Sequence, residues 1–511
     1  MGIVIRQSIK STFVTYIGVV IGTVNVLFLY NKFLSTEQFG LYTTLVSYPI
    51  IFSVFAGLSA PHISIQFFNK FADDDKKHNG FFAFLISLTV VGFVIFIGLY
   101  TLFRPTFVAI YSEHSPLLIQ YFWIFAIITF FLTIQITLEA YCRIHLRVVV
   151  PTIIREIFQK GSNSILAILL GFQYITFNQL VWGIVVSYAL SVIFLFIYIK
   201  ILGRLYLNFD FSFLRRPIAK EIYRYGLWLL LGGTSATILP HIEKLMLPSY
   251  KGGLEQNAIF NIALSIGLVI AIPRNAISSI SSPILAESWG QNDFKNIANI
   301  YVKSAINLLI IGVFLFLGIW CNIDAIFQII PNAHIYRSGK LVVLLVGIYS
   351  VIDMATGLNS EILRNSPYFK NDLYFNFLRL ILLGVSNYFL IEMYSYNGAA
   401  FAMLISVIVY NLVKFFFIKY KMGLQPFGFG TIKVIVLGLL TYGITLLIPV
   451  FEGNIWITFL NITLKSFCIL LCFGGGVLLL GVSEDLNRVV KKVWGFGFDY
   501  QRRGGSKPPR R

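Results

Sequence analysis

The sequence predicts an all-α polytopic membrane protein with about fourteen transmembrane helices, and three observations support this fold class. The 511 residues are 57% hydrophobic and only 12% charged, whereas an average soluble domain is about 25% charged. The mean hydropathy is +0.79. Apolar runs of about 20 residues recur along the whole chain, each long enough to cross a hydrocarbon core of about 30 Å as a helix. The first run belongs to this series and has no small-residue cleavage site after it, so it does not resemble a removable signal peptide.

The predicted spans fall into two sets of six and a final pair. The fifth span is unusual because Arg155, Glu156 and Lys160 lie in its first half. The last span contains three consecutive glycines, which allow close helix packing. In chain order the predicted spans cover residues 11–30, 41–63, 81–103, 117–141, 149–171, 181–201, 225–247, 257–282, 297–320, 341–358, 373–391, 398–417, 434–449 and 455–480.

Two short stretches indicate that the two sets of six are repeats. The segment FLSTEQFGLY at Phe33–Tyr42 has a relative in LEQNAIF at Leu254–Phe260, and in both a Glu-Gln pair precedes an aromatic residue and a long apolar run. Six predicted spans separate Glu37 from Glu255. An even number gives both halves the same orientation, as in parallel repeats that form a cleft and rock to open it to either side.

The repeat predicts five regions. These are an N-terminal six-helix bundle, a cytoplasmic amphipathic linker, a C-terminal six-helix bundle, two further transmembrane helices and a basic cytoplasmic tail, at residues 1–202, 203–224, 225–422, 423–482 and 483–511.

The distribution of positive charge predicts the orientation. The formal net charge is +18, and most Lys and Arg residues fall on one side of the predicted spans, which places both termini in the cytoplasm. The linker carries Arg204, Arg215, Arg216, Lys220 and Arg224 and should lie on the anionic inner leaflet. The basic residues are spread over many loops and form no single basic face, so the charge does not indicate a nucleic-acid partner.

The cations inside predicted spans are the candidate substrate-binding residues. Arg274 and Arg379 lie roughly 12 Å from the inner span ends at 1.5 Å per residue, too deep for easy escape to the surface. A charge at such depth costs at least about 2.5–3.5 kcal/mol, so it is expected to have a function or a buried partner. Lys160 lies within about one turn of Arg379 when the repeats are aligned, although Glu156 could neutralise it. Arg155 is shallower.

Other charged and metal-binding residue types give further expectations. Asp353, Glu139 and Glu243 are candidates for ion or proton coupling, with local salt bridges as the alternative. Lysines nearer to span ends are expected at the membrane interface, namely Lys303, Lys414, Lys433 and Lys465. The four cysteines indicate no disulfide framework, and the six histidines lack the spacing of metal ligands. We therefore expect no metal and no cofactor.

Several short motifs follow one another along the chain. They are Glu37-Gln38-Phe39-Gly40-Leu41-Tyr42, the pair Glu243-Lys244, the run Phe260, Asn261 and Ala263, then Pro283, and Tyr396-Asn397-Gly398-Ala399-Ala400. In this order and spacing they resemble the polysaccharide and O-unit flippases of the multidrug/oligosaccharidyl-lipid/polysaccharide (MOP) exporter superfamily. The likeness covers residues 1–422, and the final pair of spans is similar to the fourteen-span members by the number of spans only.

The resemblance implies a flippase in the bacterial inner (cytoplasmic) membrane. Its substrate would be a lipid-linked oligosaccharide, carried on undecaprenyl pyrophosphate and moved from the cytoplasmic to the periplasmic leaflet for polysaccharide or lipopolysaccharide biosynthesis. A cleft lined by cations would attract the pyrophosphate. The implied partners are the lipid bilayer, a coupling ion (H⁺ or Na⁺) and a polysaccharide polymerase, and the protein would act as a monomer.

Two other functions are compatible with parts of the sequence. A drug or cation antiporter of the same superfamily would have the same two six-span halves, but such a protein commonly has twelve spans and an acidic binding site. A membrane glycosyltransferase, ligase or polymerase would need a large outer loop or a pair of acids, whereas the longest predicted outer loop has Asp324 as its only acid. We therefore expect a transporter rather than an enzyme.

Overall fold

A computed structural model describes residues 3–72, 77–209, 211, 214, 216–232 and 234–488. Every regular element in these ranges is helical, which confirms the all-α membrane fold. Arg215 of the predicted linker and residues 489–511 of the predicted tail lie outside the described residues.

Twelve helices among the described residues are long and apolar enough to cross a membrane. Fourteen spans and two cytoplasmic termini stay predictions. The twelve helices are Lys10–Phe33, Thr36–Ala56, Phe81–Leu102, Phe122–Ile144, Phe177–Ile201, Gly253–Gly290, Phe294–Trp320, Ala333–Ala355, Phe369–Tyr394, Tyr396–Met422, Phe429–Leu446 and Ile455–Leu479.

The fifth predicted span is helical but polar. It consists of Val149–Ile153, a π-helical turn at Ile154–Gln159, and Lys160–Gly171, in unbroken succession. We call residues 149–171 the polar helix. Its three charged residues, and not a break in the backbone, distinguish it from the twelve apolar helices.

The seventh predicted span, residues 225–247, is helical in several pieces, and its crossing of the membrane stays a prediction. A helix at Arg216–Gly232 is followed by short helical pieces, ending with Leu247–Ser249. Pro240 and Pro248 explain part of this pattern, because proline lacks the amide hydrogen that a continuing helix requires. The short pieces are Ser235–Ile238, Leu239–His241 and Ile242–Met246.

The helix Arg216–Gly232 begins inside the predicted linker and is amphipathic. Ile222 is buried, whereas Lys220 and Arg224 are exposed. Glu221 pairs with Lys70 at 2.7 Å. The second half of the predicted linker is therefore the first half of a helix.

The chain divides into two compact units. Unit 1 comprises residues 1–265, 330–339 and 376–402, and unit 2 comprises residues 266–329, 340–375 and 403–511. The core of unit 1 contains Tyr48, Phe125 and Leu132, and the core of unit 2 contains Tyr301 and Met354. The five regions predicted from the sequence stay a prediction.

Within unit 1, the two stretches that mark the predicted repeat pack against each other. Ser35 caps the helix Thr36–Ala56 and forms a capping box with Gln38. The amide of Asn257 donates to Thr43 Oγ1 at 2.9 Å and to the carbonyl of Gly40 at 3.3 Å. A side chain at Gly40 would have its Cβ 1.9 Å from the carbonyl oxygen of Leu254. Glycine at this position allows the two backbones to approach.

Gly40→Ala should destabilise the protein, because the Leu254 carbonyl is backbone and cannot easily move. Overpacking of this kind costs about 1–3 kcal/mol, which should lower the melting temperature of the purified protein in detergent. Gly98→Ala is the matched control, since no heavy atom lies within 4 Å of its added Cβ. Equal melting temperatures for Gly40→Ala and the wild type would contradict this close packing.

Candidate functional site

Four charged side chains meet in unit 1 at the polar helix. Arg155 contacts Glu139 at 2.7 Å and Glu156 at 3.2 Å. Lys160 contacts Glu156 at 2.7 Å and donates to the carbonyl of Gly18 at 3.0 Å. We call Glu139, Arg155, Glu156 and Lys160 the unit 1 cluster. Two acids and two bases make it formally neutral.

Amide side chains extend the unit 1 cluster into a hydrogen-bonded chain. Gln159 donates to Gln135 at 2.8 Å, and Gln135 donates to Glu139 at 3.0 Å. Glu139 therefore accepts from an amide on one oxygen and from Arg155 on the other. Such a network fixes the rotamers of buried polar side chains.

The unit 1 cluster borders a cavity of about 350 Å³, within the size range of small-molecule sites. Arg155, Glu156 and Lys160 line one part of it, and Lys244 lines it as well. The remainder combines apolar side chains, such as Val26 and Leu132, with tyrosines and amides, namely Tyr30, Tyr42, Tyr188, Asn25, Asn163 and Asn261. We call this space the unit 1 cavity.

A second charged group lies in unit 2. Arg274 contacts Asp353 at 3.2 Å and Glu361 at 3.9 Å. Asn411 donates to Asp353 at 3.3 Å, and Ser278 donates to Glu361 at 2.6 Å. Arg274 thus lies between two carboxylates that other polar side chains hold in place.

Lys414 completes the charged group of unit 2. It is completely buried, and it donates to Asp372 at 2.5 Å, to Ser360 at 2.7 Å and to the hydroxyl of Tyr410. Lys414 thus has its polar partners inside the protein, and the expectation that it lies at the membrane interface stays a prediction. We call Arg274, Asp353, Glu361, Asp372 and Lys414 the unit 2 cluster.

The structure gives each of the four predicted substrate-binding cations an acidic neighbour. Arg155 and Lys160 belong to the unit 1 cluster, and Arg274 belongs to the unit 2 cluster. Arg379 interacts electrostatically with Glu243, whose side chain is only 2% exposed. Substrate contact by these cations, and ion coupling by Asp353, Glu139 and Glu243, stay predictions.

Sequence reasoning missed several members of these sites. Glu361 and Asp372 fall between two predicted spans, so a search for charges inside spans does not single them out. In the structure, the helix ends near Gly357, which has a φ of +63°, and restarts as Asn359–Asn365. The pattern Gly-Leu-Asn at residues 357–359 is a signal of this break, since Gly-Leu-Ser at residues 57–59 lies at a similar break in unit 1.

The comparisons with known proteins agree with this architecture. A family model described as "Polysaccharide biosynthesis protein" matches residues 4–289, and a model described as MatE matches residues 244–390. No curated protein matches the chain by sequence.

Solved structures share the fold. The lipid II flippase MurJ in an inward closed conformation is similar with a TM-score of 0.71 and 13% identity, covering 92% of this chain and 99% of that one. An inward-facing multidrug resistance MATE family transporter of the MOP superfamily has a TM-score of 0.65 and 14% identity, covering 82% of this chain and 98% of that one. A MOP superfamily transporter from Pyrococcus furiosus has a TM-score of 0.58 and 15% identity, covering 82% of this chain and 95% of that one. These matches confirm the MOP superfamily transporter fold.

Lys414→Met should strongly destabilise the protein, because it removes the closest cation from the buried carboxylate of Asp372. Breaking a buried pair in this way costs about 3–5 kcal/mol. The measurement is thermal unfolding in detergent, with Lys419→Met as the matched control on an exposed site of the same helix. Partial recovery of stability in Lys414→Met/Asp372→Asn is expected. Wild-type stability of Lys414→Met would show that the pair contributes nothing.

Proposed function

This chain belongs to the family of polysaccharide biosynthesis proteins, and from that premise we propose that it is a flippase for lipid-linked oligosaccharides. The substrate is an oligosaccharide on a polyprenyl pyrophosphate, such as undecaprenyl pyrophosphate. The protein moves it from the cytoplasmic to the periplasmic leaflet of the bacterial inner membrane by alternating access. The fold shared with the lipid II flippase MurJ is consistent with this substrate class.

The observation that carries the proposal is the cationic part of the unit 1 cavity. Arg155, Lys160 and Lys244 line it together. An arginine can hold phosphate oxygens through two parallel hydrogen bonds, and a lysine adds a point charge. This set of donors suits the pyrophosphate that all substrates of the proposed class share.

The ion pairs of the unit 1 cluster suggest how substrate is both bound and released. Without substrate, Glu139 and Glu156 neutralise Arg155 and Lys160. The pyrophosphate competes with these carboxylates for the cations, so the net gain on binding is smaller than for unpaired charges. Moderate affinity favours transport, because a transporter must release its substrate on the other side.

The carboxylates give candidate positions for energy coupling. Asp353 contacts Arg274, Glu139 contacts Arg155, and Glu243 lies near Arg379. A proton or Na⁺ that neutralises one of these acids would free its arginine to interact elsewhere. The proposed driving ion is therefore H⁺ or Na⁺. We further propose that the protein acts as a monomer in contact with a polysaccharide polymerase.

A drug or cation antiporter is the second candidate. The match of residues 244–390 to MatE and the fold shared with a MATE family transporter favour it. Ethidium efflux from vesicles containing the purified protein, without flipping of lipid-linked sugar, would select this candidate.

Lys160→Gln should lower the affinity for the lipid-linked oligosaccharide by at least about tenfold, because a charge-assisted hydrogen bond contributes about 1.5–3 kcal/mol. The measurement is flipping of a fluorescent lipid-linked oligosaccharide in vesicles as a function of its concentration. Lys200→Gln, at an exposed lysine outside the unit 1 cavity, is the matched control and should match the wild type. Unchanged affinity in Lys160→Gln would argue against a pyrophosphate site at this lysine.

Asp353→Asn should remove the response of flipping to an ion gradient, because an amide cannot exchange between charged and neutral forms. The initial flipping rate is measured in vesicles with and without a proton or sodium gradient. In the wild type a gradient should raise the rate, and in Asp353→Asn the two rates should be equal. A variant that responds to the gradient like the wild type would exclude Asp353 as the coupling group.

A further inference from the structure

We propose that an apolar groove in unit 1 binds one acyl chain of an anionic phospholipid, whose headgroup is held by Lys220 and Arg224. The groove is lined mainly by the amphipathic helix Arg216–Gly232 and the helix Phe81–Leu102, and its volume is about 310 Å³. We call this space the unit 1 groove. The inference goes beyond the proposed function, because it concerns a lipid of the surrounding membrane and not the transported substrate.

The lining of the unit 1 groove is hydrocarbon. The helix Phe81–Leu102 contributes Phe84 and Leu88. Among the lining residues that the structure describes, Tyr223 alone has a polar side-chain atom, and this side chain is 71% exposed. A sugar, a nucleotide or an ion in the groove would lose its hydrogen bonds to water without replacement. The unit 1 groove therefore suits a hydrocarbon chain.

The length of the unit 1 groove matches one leaflet of a bilayer. Along the helix Arg216–Gly232 the lining residues recur every three or four positions, the spacing of one helix face, from Ala219 through Ile222 and Gly226 to Leu230. At a rise of about 1.5 Å per residue this stripe is about 16 Å long. The hydrocarbon core of a bilayer is about 30 Å thick. One acyl chain of a phospholipid fills about half of that thickness, which is the length of the stripe.

Two exposed cations border the first half of this stripe. Lys220 and Arg224 each follow a lining residue directly in the sequence, and both are exposed. The acid between them, Glu221, is paired with Lys70 at 2.7 Å. Residues 225–230, which continue the stripe, carry no charge. The groove thus has positive charge near one end and apolar residues toward the other, as the headgroup and chain of an anionic lipid require.

A membrane phospholipid fits the unit 1 groove better than the polyprenyl chain of the proposed substrate. The pyrophosphate of that substrate is proposed for the unit 1 cavity, and among the described residues none lines both spaces. A headgroup at Lys220 and Arg224 therefore belongs to a different lipid. An undecaprenyl chain is also much longer than one leaflet. Both cations belong to the predicted cytoplasmic linker, so the phospholipid is one of the inner leaflet, which contains anionic lipids.

The first test compares phosphatidylglycerol, which is anionic, with phosphatidylethanolamine of the same acyl chains, which is zwitterionic. Dissociation constants for the purified full-length protein in detergent are measured by native mass spectrometry. The wild type should bind phosphatidylglycerol more tightly. Lys220→Gln/Arg224→Gln should weaken binding of phosphatidylglycerol roughly tenfold to thirtyfold and change binding of phosphatidylethanolamine less, because both lost charges attract the net negative headgroup.

A second variant tests the acyl chain. Ala219→Phe places a ring in the unit 1 groove and should weaken binding of both phospholipids by a similar factor, roughly tenfold, because both lose the same buried methylene groups. Ala286→Phe is the matched control at an exposed alanine of the helix Ile272–Gly290. Lys419→Gln/Lys421→Gln is the control for the charges, at two exposed lysines of the helix Tyr396–Met422. Both controls should bind like the wild type, and melting temperatures check that each variant is folded.

The outcomes decide the headgroup and the chain separately. Equal affinity of the wild type for the two phospholipids, or unchanged binding of phosphatidylglycerol in Lys220→Gln/Arg224→Gln, would show that these cations hold no headgroup. Unchanged binding of both phospholipids in Ala219→Phe would place the acyl chain elsewhere. If polyprenyl pyrophosphate displaces phosphatidylglycerol from the wild type and itself binds more weakly to Ala219→Phe, the groove holds the substrate chain and the phospholipid site is wrong. The flippase proposal is tested independently at Lys160.

Discussion

The pairing of charges inside the helical bundle is the constraint on which the rest of this structure depends. An uncompensated charge in the hydrocarbon region costs at least about 2.5–3.5 kcal/mol. Each of the two units contains several charged side chains, and those of the two clusters have partners of opposite charge. In unit 1 the two cations of the cluster face Glu139 and Glu156, and in unit 2 Arg274 and Lys414 face three carboxylates. These pairs allow a membrane protein to keep strong electrostatic groups at depth. They also allow each charged group to change its partner, since either member of an ion pair can be replaced by another group of the same charge.

Glu156 bridges the two cations of the unit 1 cluster on the polar helix. It contacts Arg155 beside it and Lys160 four residues later, and side chains four residues apart lie on the same face of a helix. The π-helical turn at Ile154–Gln159 contains Arg155 and Glu156, and Lys160 follows it directly. The second acid, Glu139, comes from the helix Phe122–Ile144, so two helices together supply one acid for each cation.

The fold was largely predictable from the sequence, whereas the composition of the charged sites was not. Hydropathy adds up over about 20 residues, so a single misplaced residue does not obscure a span. Hydropathy does not predict the breaks in the segment at residues 216–249, because the apolar composition of this segment is that of a span. Only the prolines and glycines indicate the breaks. The depth of Arg274 in its span indicates that its charge is energetically costly there. Glu361 and Asp372 lie outside the apolar runs, so the same argument does not find them. Their places depend on how the helix restarts after Gly357, and no periodicity encodes that.

The division of the unit 1 cavity into charged and uncharged parts bears on how such a transporter could combine generality with selectivity. In the proposed flippase, the charged groups would bind the pyrophosphate that all substrates share, and so they would contribute affinity without distinguishing one substrate from another. Discrimination requires groups whose partners differ between substrates, and the uncharged amides and tyrosines that line the cavity are groups of this kind. Selectivity for the sugar can then change through a few neutral side chains, while the ion pairs that keep the helices stable in the membrane stay as they are.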